Sequence, residues 1–372
     1  MQLQCSLRST DNVLSQALRL KFTPPLCGDE PTTMPSMNII QAINDALFIA
    51  MRANPQVVML GEDIGKFGGV FRATVGLQEE FGEDRVIDTP LAESGIIGTA
   101  IGMALYGIKP VAEIQFSDFI FPAYDQIVNE LAKYRYRSAG QFPAAMVIRT
   151  PYGGGIRGGH YHSQSPESVF AHHAGLVIVT PSNPFDAKGL LLSAIDSHDP
   201  VMVLEPKRIY RGPDHGTNWQ NHPQGQVPLE DYRVPIGVAN IVRPRSNSGT
   251  GVTLITYGAM VHTCGKAAEL AQQQGIDCEI IDLRSLVPCD MDTVAQSVRR
   301  TGRAVVANEA PRICGFSAEL VANIQQECFD WLQAPVLRVT GWDTPFPYTT
   351  EHLYMPDPAR VLHSLRLVAD YK

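Results

Sequence analysis

Two side chains stand out as able to move protons, Glu93 and His162. The first lies in Asp88-Thr-Pro-Leu-Ala-Glu93-Ser-Gly-Ile-Ile-Gly98, which sets one acid at the mouth of a glycine-lined helix. Gly95, Gly98 and Gly102 fall at i, i+3 and i+7, on one face. Each glycine costs a helix about 1 kcal/mol relative to alanine, so such a stripe implies a compensating close backbone contact. A carboxyl group entering that junction is poorly solvated and suited to sharing a proton with a ligand nitrogen. The plainer alternative is a first-turn acid stabilised by the helix dipole.

His162 follows five glycines in seven residues, Gly153 to Gly159. A glycine-rich approach lets backbone come close to a ligand, and a histidine at its end is a natural acid or base at neutral pH. The alternative is a loop histidine with no task. His160 and His162 also make a His-x-His pair, but no third ligand follows at metal-binding spacing, which argues against metal catalysis. The Gly61–Gly69 loop lacks the pattern of a phosphate loop, and the chain has no Gly-Asp-Gly triplet for a diphosphate-plus-magnesium site. If a ligand carries phosphates, another subunit is expected to hold them.

These residues need a scaffold. Helical periodicity over Asn38–Ala53, with Ser36 as a candidate cap, precedes an apolar strand at 57–60. Further strands are expected at 109–115, 144–149, 177–180 and 201–205, and helices at 122–137 and 184–196. A second series runs from Val252 to Thr340. Strands alternating with helices imply two α/β domains, each a mainly parallel sheet covered by helices. The expected divisions are an extension over 1–36, a domain over 37–210, a linker rich in Pro, Gly, Asn and His over 211–250, and a domain over 251–372. Residues 1–36 read as a disordered extension, a weak targeting segment, or a stretch ahead of a start at Met34 or Met37.

Composition narrows the function classes. The 372 residues are 44% hydrophobic and 18% charged, as in a globular protein, and the net charge of −8 argues against nucleic-acid or anionic-membrane surfaces. No apolar run reaches the roughly 18 residues needed to span a bilayer. Seven cysteines without a Cys-x-x-Cys pair favour a reducing compartment.

Beyond Glu93, many motifs in order resemble one family: Glu113 to Glu130, Tyr134-Arg-Tyr-Arg-Ser138, Tyr161-His-Ser-Gln-Ser-Pro-Glu167, Asp186-Ala-Lys-Gly-Leu190, Leu204-Glu-Pro-Lys207, Asp282-Leu-Arg-Ser285 and Gly341-Trp-Asp-Thr-Pro-Phe-Pro347. From about residue 37 to the C-terminus the chain is similar to the beta subunits of thiamine-diphosphate-dependent 2-oxoacid dehydrogenases, the decarboxylating first component. Gly68-Gly-Val-Phe-Arg72, the His162–Glu167 stretch and Leu204–Lys207 look closest to the branched-chain type, with pyruvate or acetoin as the alternative substrate.

The resemblance implies a pyrimidine-binding fold followed by a transketolase C-terminal-like fold. It implies an alpha-two-beta-two heterotetramer whose alpha subunit holds Mg2+ and the diphosphate, and a lipoyl acyltransferase as the next component. It implies that Glu93 hydrogen-bonds the aminopyrimidine ring, favouring the tautomer that removes the thiazolium proton, and that His162 assists acyl transfer to a lipoyl group. Leu91, Gln115 and Phe119 fall at cofactor-pocket positions, Phe119 standing where the branched-chain pattern often has tyrosine. A potassium site built mainly of backbone oxygens maps to Ala144, Met146, Val147, Ala194, Ser197 and Asp199, with Ser197 replacing an acid. Tyr348 stands where relatives often have histidine. The C-terminal domain is expected mainly to support dimerisation and docking. The compartment implied is bacterial cytoplasm, or mitochondrial matrix in a eukaryote.

Overall fold

The computed structural model describes residues 34–211 and 225–372. The extension expected over 1–36 lies outside the described residues up to position 33, as does the expected linker between 212 and 224. In chain order the first eight strands are β1 (Ser36–Met37), β2 (Val57–Gly61), β3 (Val86–Asp88), β4 (Lys109–Glu113), β5 (Val147–Tyr152), β6 (Val177–Val179), β7 (Val201–Pro206) and β8 (Gly225–Gln226). Six follow: β9 (Asn240–Arg243), β10 (Thr250–Thr256), β11 (Ile276–Asp282), β12 (Ser285–Val287), β13 (Ala304–Ala307) and β14 (Leu337–Val339).

The larger sheet has the order β12-β6-β7-β5-β4-β2-β3 and the smaller one β14-β13-β10-β11-β9. All neighbours in these two sheets are parallel except β12 against β6 and β9 against β11. β2, β5 and β7 are buried at every position, as strands covered on both faces must be. β9 falls inside the stretch 211–250, and β12, from the second half of the chain, forms an edge of the first sheet.

Helix Ile39–Ala53 buries Ile39, Ile43, Ala46, Leu47 and Ala50 and packs on helix Pro184–Asp196. Its cap is Asn38 and not Ser36: Asn38 Oδ1 accepts from the Gln41 amide at 2.9 Å, and Gln41 Oε1 accepts from the Asn38 amide at 2.9 Å. Ser36 is instead drawn into β1, which pairs with β8. The helix expected at 122–137 is composite, a π-helical stretch Gln126–Leu131 running into helix Ala132–Arg137.

One apolar cluster crosses from the first sheet to the second. Ile148 and Tyr152 belong to it together with Tyr257, Leu283, Val294 and Phe316. Each fully buried Leu, Ile, Val or Phe contributes about 1.5–3 kcal/mol, so the two halves share much of their stabilising burial. Polar contacts reinforce the seam. Ser182 Oγ donates to Asp282 Oδ2 at 2.5 Å, and Arg284 pairs with Asp186 at 2.7 Å.

Candidate active site

The candidate residues gather beyond the carboxyl ends of the parallel strands, where open α/β sheets place ligand sites. β2 leads to Glu62 and Asp63, and β3 leads to Leu91 and Glu93. β4 leads to Gln115, Phe116 and Phe119. β5 leads into the glycine loop and His162, and β7 into Lys207.

Glu93 begins helix Glu93–Leu105 and is only 9% exposed. Leu91 beside it is 80% exposed, an apolar side chain standing free next to a nearly buried carboxylate. Behind them lies Glu62, itself buried, whose Oε1 has no hydrogen-bond partner among the described residues. Burial raises the Glu62 pKa most, and the like charges of Glu93 and Asp63 raise it further. Gln115 Nε2 donates to Asp63 Oδ2 at 3.0 Å and to the Glu62 carbonyl at 3.5 Å, so Gln115 ties the two loops together.

The next residue, Phe116, meets His162 edge-on with ring centroids 4.6 Å apart, and Phe119 meets it at 5.2 Å. Two aromatic edges thus fix the half-buried imidazole. Its loop is pinned just afterwards, where Asp118 Oδ1 accepts from the amides of Ser163 at 3.1 Å and Gln164 at 3.0 Å. His160 is exposed and packs on Tyr161, with ring centroids 4.0 Å apart. Among the described residues, no group of three or more His, Cys, Asp and Glu is placed to hold a metal ion.

Sequence reasoning missed Glu62, Asp118 and Lys207. Lys207 is 3% exposed and lies 5.6 Å over the ring of Phe116, the same ring that meets His162. Burial pulls its pKa down to about 8, against the opposing pull of Asp118, Glu309 and Glu351. A charged residue at the end of a buried strand, as at Glu62 after β2 and Lys207 after β7, is the signal that marks them. Arg149 was missed as well. It lies within β5, buried between Glu205 at 2.8 Å and Glu113, and Tyr210 donates to Glu205. Burial works against the Arg149 charge, but Glu205 and Glu113 outweigh it.

The expected close contact of the glycine stripe is not made among the described residues. Helix Glu93–Leu105 buries Ile96, Ile97, Ala100, Ile101 and Ala104, which turns the glycine edge outward. Outside the helix's own backbone, and among the described residues, a Cβ at Gly95 meets the Ala92 Cβ at 3.6 Å and one at Gly98 meets Gln126 at 3.5 Å. At Gly102 it meets nothing within 4 Å among the described residues.

The six residues of the expected potassium site lie around the start of β5 and the turn after helix Pro184–Asp196. Ala144 is buried at φ +49, a left-handed conformation that a residue with a Cβ rarely adopts. The Met146 carbonyl accepts from the Val201 amide at 3.0 Å, and Ser197 Oγ accepts from the Asp199 amide at 3.0 Å. The Asp199 carboxylate is committed to Arg135.

Two family models match the chain: the transketolase pyrimidine-binding domain over residues 35–213 and the transketolase C-terminal domain over residues 239–361. The 2-oxoisovalerate dehydrogenase subunit beta of Pseudomonas aeruginosa is 52% identical, covering 88% of this chain and 94% of that protein. The mitochondrial 2-oxoisovalerate dehydrogenase subunit beta of Dictyostelium discoideum is 50% identical, covering 90% and 87%. A pyruvate dehydrogenase E1 component subunit beta of Acholeplasma laidlawii is 45% identical, covering 90% and 99%. Among solved structures, a split-gene transketolase described as an inactive beta4 tetramer superposes with a TM-score of 0.71 at 20% identity, covering 91% of this chain and all of that one, which shows a shared fold.

Proposed function

The chain belongs to the transketolase-like family of 2-oxoacid dehydrogenase beta subunits, and from that premise we propose that Glu93 and His162 divide the work of the branched-chain member of the family. The activity is thiamine-diphosphate-dependent oxidative decarboxylation of branched-chain 2-oxoacids, with the acyl group passed to a lipoyl carrier. The branched-chain reading is favoured over pyruvate because the more similar relatives carry the branched-chain name.

The observation that carries the assignment is the set Glu93, Glu62 and Leu91. A nearly buried carboxylate, an unpartnered carboxyl oxygen and an exposed apolar side chain fit a flat aminopyrimidine, which offers ring nitrogen, amine and an apolar face. When bound, thiamine diphosphate supplies the carbon nucleophile and the electron sink for loss of carbon dioxide. Glu93 holds the proton shared with the pyrimidine nitrogen. Beside it, burial and the like charges of Glu93 and Asp63 push the Glu62 carboxyl towards its protonated form. Gln115 and Phe119 line the substrate side. His162 delivers a proton to the lipoyl sulfur that is released when the other sulfur takes the acyl group.

The alpha subunit is assigned Mg2+ and the diphosphate, because this chain has no Gly-Asp-Gly triplet. The outward glycine edge of helix Glu93–Leu105 supports the heterotetramer, since a partner helix there would supply the close contact those glycines permit. A lipoyl acyltransferase is the further partner. For the potassium site, the buried left-handed Ala144 and the engaged Asp199 carboxylate support ligation by backbone oxygens. The proposed compartment is bacterial cytoplasm, or mitochondrial matrix in a eukaryote. In keeping with it, the described cysteines are free and no described helix is long and apolar enough to cross a membrane.

The test is dye-coupled decarboxylation by the chain assembled with its alpha partner, across 3-methyl-2-oxobutanoate, 4-methyl-2-oxopentanoate, pyruvate and 2-oxoglutarate. Highest kcat/KM on the two branched acids is expected. Highest kcat/KM on pyruvate refutes the substrate assignment, and silence on all four refutes the catalytic one.

A further inference from the structure

We propose that Glu309 and Glu351, from the C-terminal half of the chain, are positioning residues for His162 and hold the glycine loop that carries it. The inference rests on the acyl-transfer role given to His162 above, and it assigns the C-terminal half a part in that step beyond dimerisation and docking.

Glu309 lies just past the carboxyl end of β13, and Glu351 begins the short helix Glu351–Tyr354. They are 4% and 9% exposed. Glu309 packs directly against the loop at Gly153, and the Gly154 amide favours its charged form. The Arg157 amide donates to Glu351 Oε2 at 3.0 Å, and the neighbouring Gly155 amide favours the charge on that carboxylate. The loop therefore meets two carboxylates from the C-terminal half, Glu351 lying 194 residues beyond its amide partner Arg157. Charge-assisted bonds of this kind are roughly twice as strong as neutral ones, and clustered backbone amides form a natural anion cradle.

The loop's glycines fit the same arrangement. A Cβ at Gly153 would lie 2.1 Å from Glu309 Oε1, and one at Gly154 would lie 2.5 Å from Phe346 and 2.8 Å from Met355 Sδ. The loop runs so close to the second half that side chains there would displace it. Burial disfavours charge on both acids, while the loop amides and Arg208 favour it. Lys207 Nζ, without a hydrogen-bond partner among the described residues, is a further buried positive charge acting on Glu309 and Glu351.

On the other side of His162, Asp118 takes the Ser163 and Gln164 amides in the same way. The loop segments on either side of the imidazole are thus held by carboxylates, and aromatic edges meet its ring. A proton-transfer group must be held to within about 0.5 Å, and a 1 Å misplacement costs roughly a hundredfold in rate. Loosening the clamp therefore slows the step that uses His162 and spares the step that uses Glu93.

The experiment measures two partial reactions of the assembled heterotetramer, dye-coupled decarboxylation and acylation of a free lipoyl domain. E309A and E351A are expected to lower kcat for lipoyl acylation by roughly ten- to a hundredfold, with dye-coupled kcat and KM for the 2-oxoacid within about twofold. E351Q, which keeps an acceptor oxygen, is expected to recover most of the loss. G154A crowds the loop without removing a charge and is expected to give the same selective loss, which keeps the test decisive if an alanine variant fails to assemble. Parallel loss of both partial reactions, or unchanged acylation in E351A and G154A, overturns the proposal. Failure of the unmodified enzyme to decarboxylate any 2-oxoacid overturns the functional reading instead, so the two failures are distinguishable.

Discussion

Tyr257 donates its hydroxyl to Glu167 Oε1 at 2.8 Å, joining the end of β10 to the helix that follows the His162 loop. Both side chains are buried, and Glu167 Oε2 has no partner among the described residues. Burial pushes the Glu167 pKa up to about 7, the Tyr257 hydrogen bond opposes it, and Glu309 adds to it. Burial likewise pushes Asp282 up to about 7, against the hydrogen bond from Ser182.

The sign of the pH effect follows from proton counts. Between the ordinary carboxylate range and about pH 7, the folded chain keeps protons at Glu167 and Asp282 that the unfolded chain has lost. Their contribution to stability is therefore full at acid pH and falls as pH rises through that window. Glu167→Gln keeps an acceptor for Tyr257 and removes one of the two titrations. Its Tm relative to the unmodified chain is expected to be higher by roughly 2–8 °C at pH 8 and little changed at pH 5. Thermal unfolding across pH 5–8 reads this directly, and an equal Tm difference at both ends refutes it.

Glu93→Gln removes the shared proton while keeping shape and burial. Dye-coupled turnover is expected to fall by about a hundredfold or more, with heterotetramer assembly unchanged by sedimentation. Retained turnover would return Glu93 to the role of a first-turn helix acid.

His162→Ala separates the two halves of the reaction. Lipoyl acylation is expected to fall by about a hundredfold or more, while decarboxylation read with a dye stays within severalfold. Equal loss in both assays would place His162 in the decarboxylation step and remove its assignment to acyl transfer.

Gly102→Leu tests which way the glycine edge faces. A Cβ there meets nothing within 4 Å among the described residues, so the isolated chain is expected to tolerate it and gain helix propensity of somewhat under 1 kcal/mol. Assembly with the alpha subunit is expected to fail or weaken strongly. Size-exclusion chromatography of the mixed subunits, beside the Tm of the isolated chain, gives both readings. Normal assembly would show that this edge meets no partner.

Local signals are strong for the elements and for two of the chemical groups. Apolar runs and helical periodicity specify most strands and helices, because both depend on residues within a few positions of one another. Glu93 was legible because a lone acid opens a helix lined with glycine, and His162 because it ends a glycine-rich loop. The cap is Asn38 and not Ser36, because β1 pairing with distant β8 removes Ser36 from the helix terminus, a contact that local sequence does not carry.

What folds against what was decided only in three dimensions. The sequence by itself determined two mainly parallel α/β sheets, an acid and a histidine apt for proton transfer, and a helix edge slim enough for close packing. Tertiary structure decided that β12 leaves the second half to edge the first sheet, and that Glu62 sits behind Glu93. It also decided that Glu309 packs against the loop at Gly153, that Glu351 takes the Arg157 amide, and that the glycine edge points outward. The physical reason is range. Propensity, capping and periodicity act over a turn or two of chain, whereas the partner of a buried carboxylate depends on strand order and on how the two sheets close over their common apolar seam.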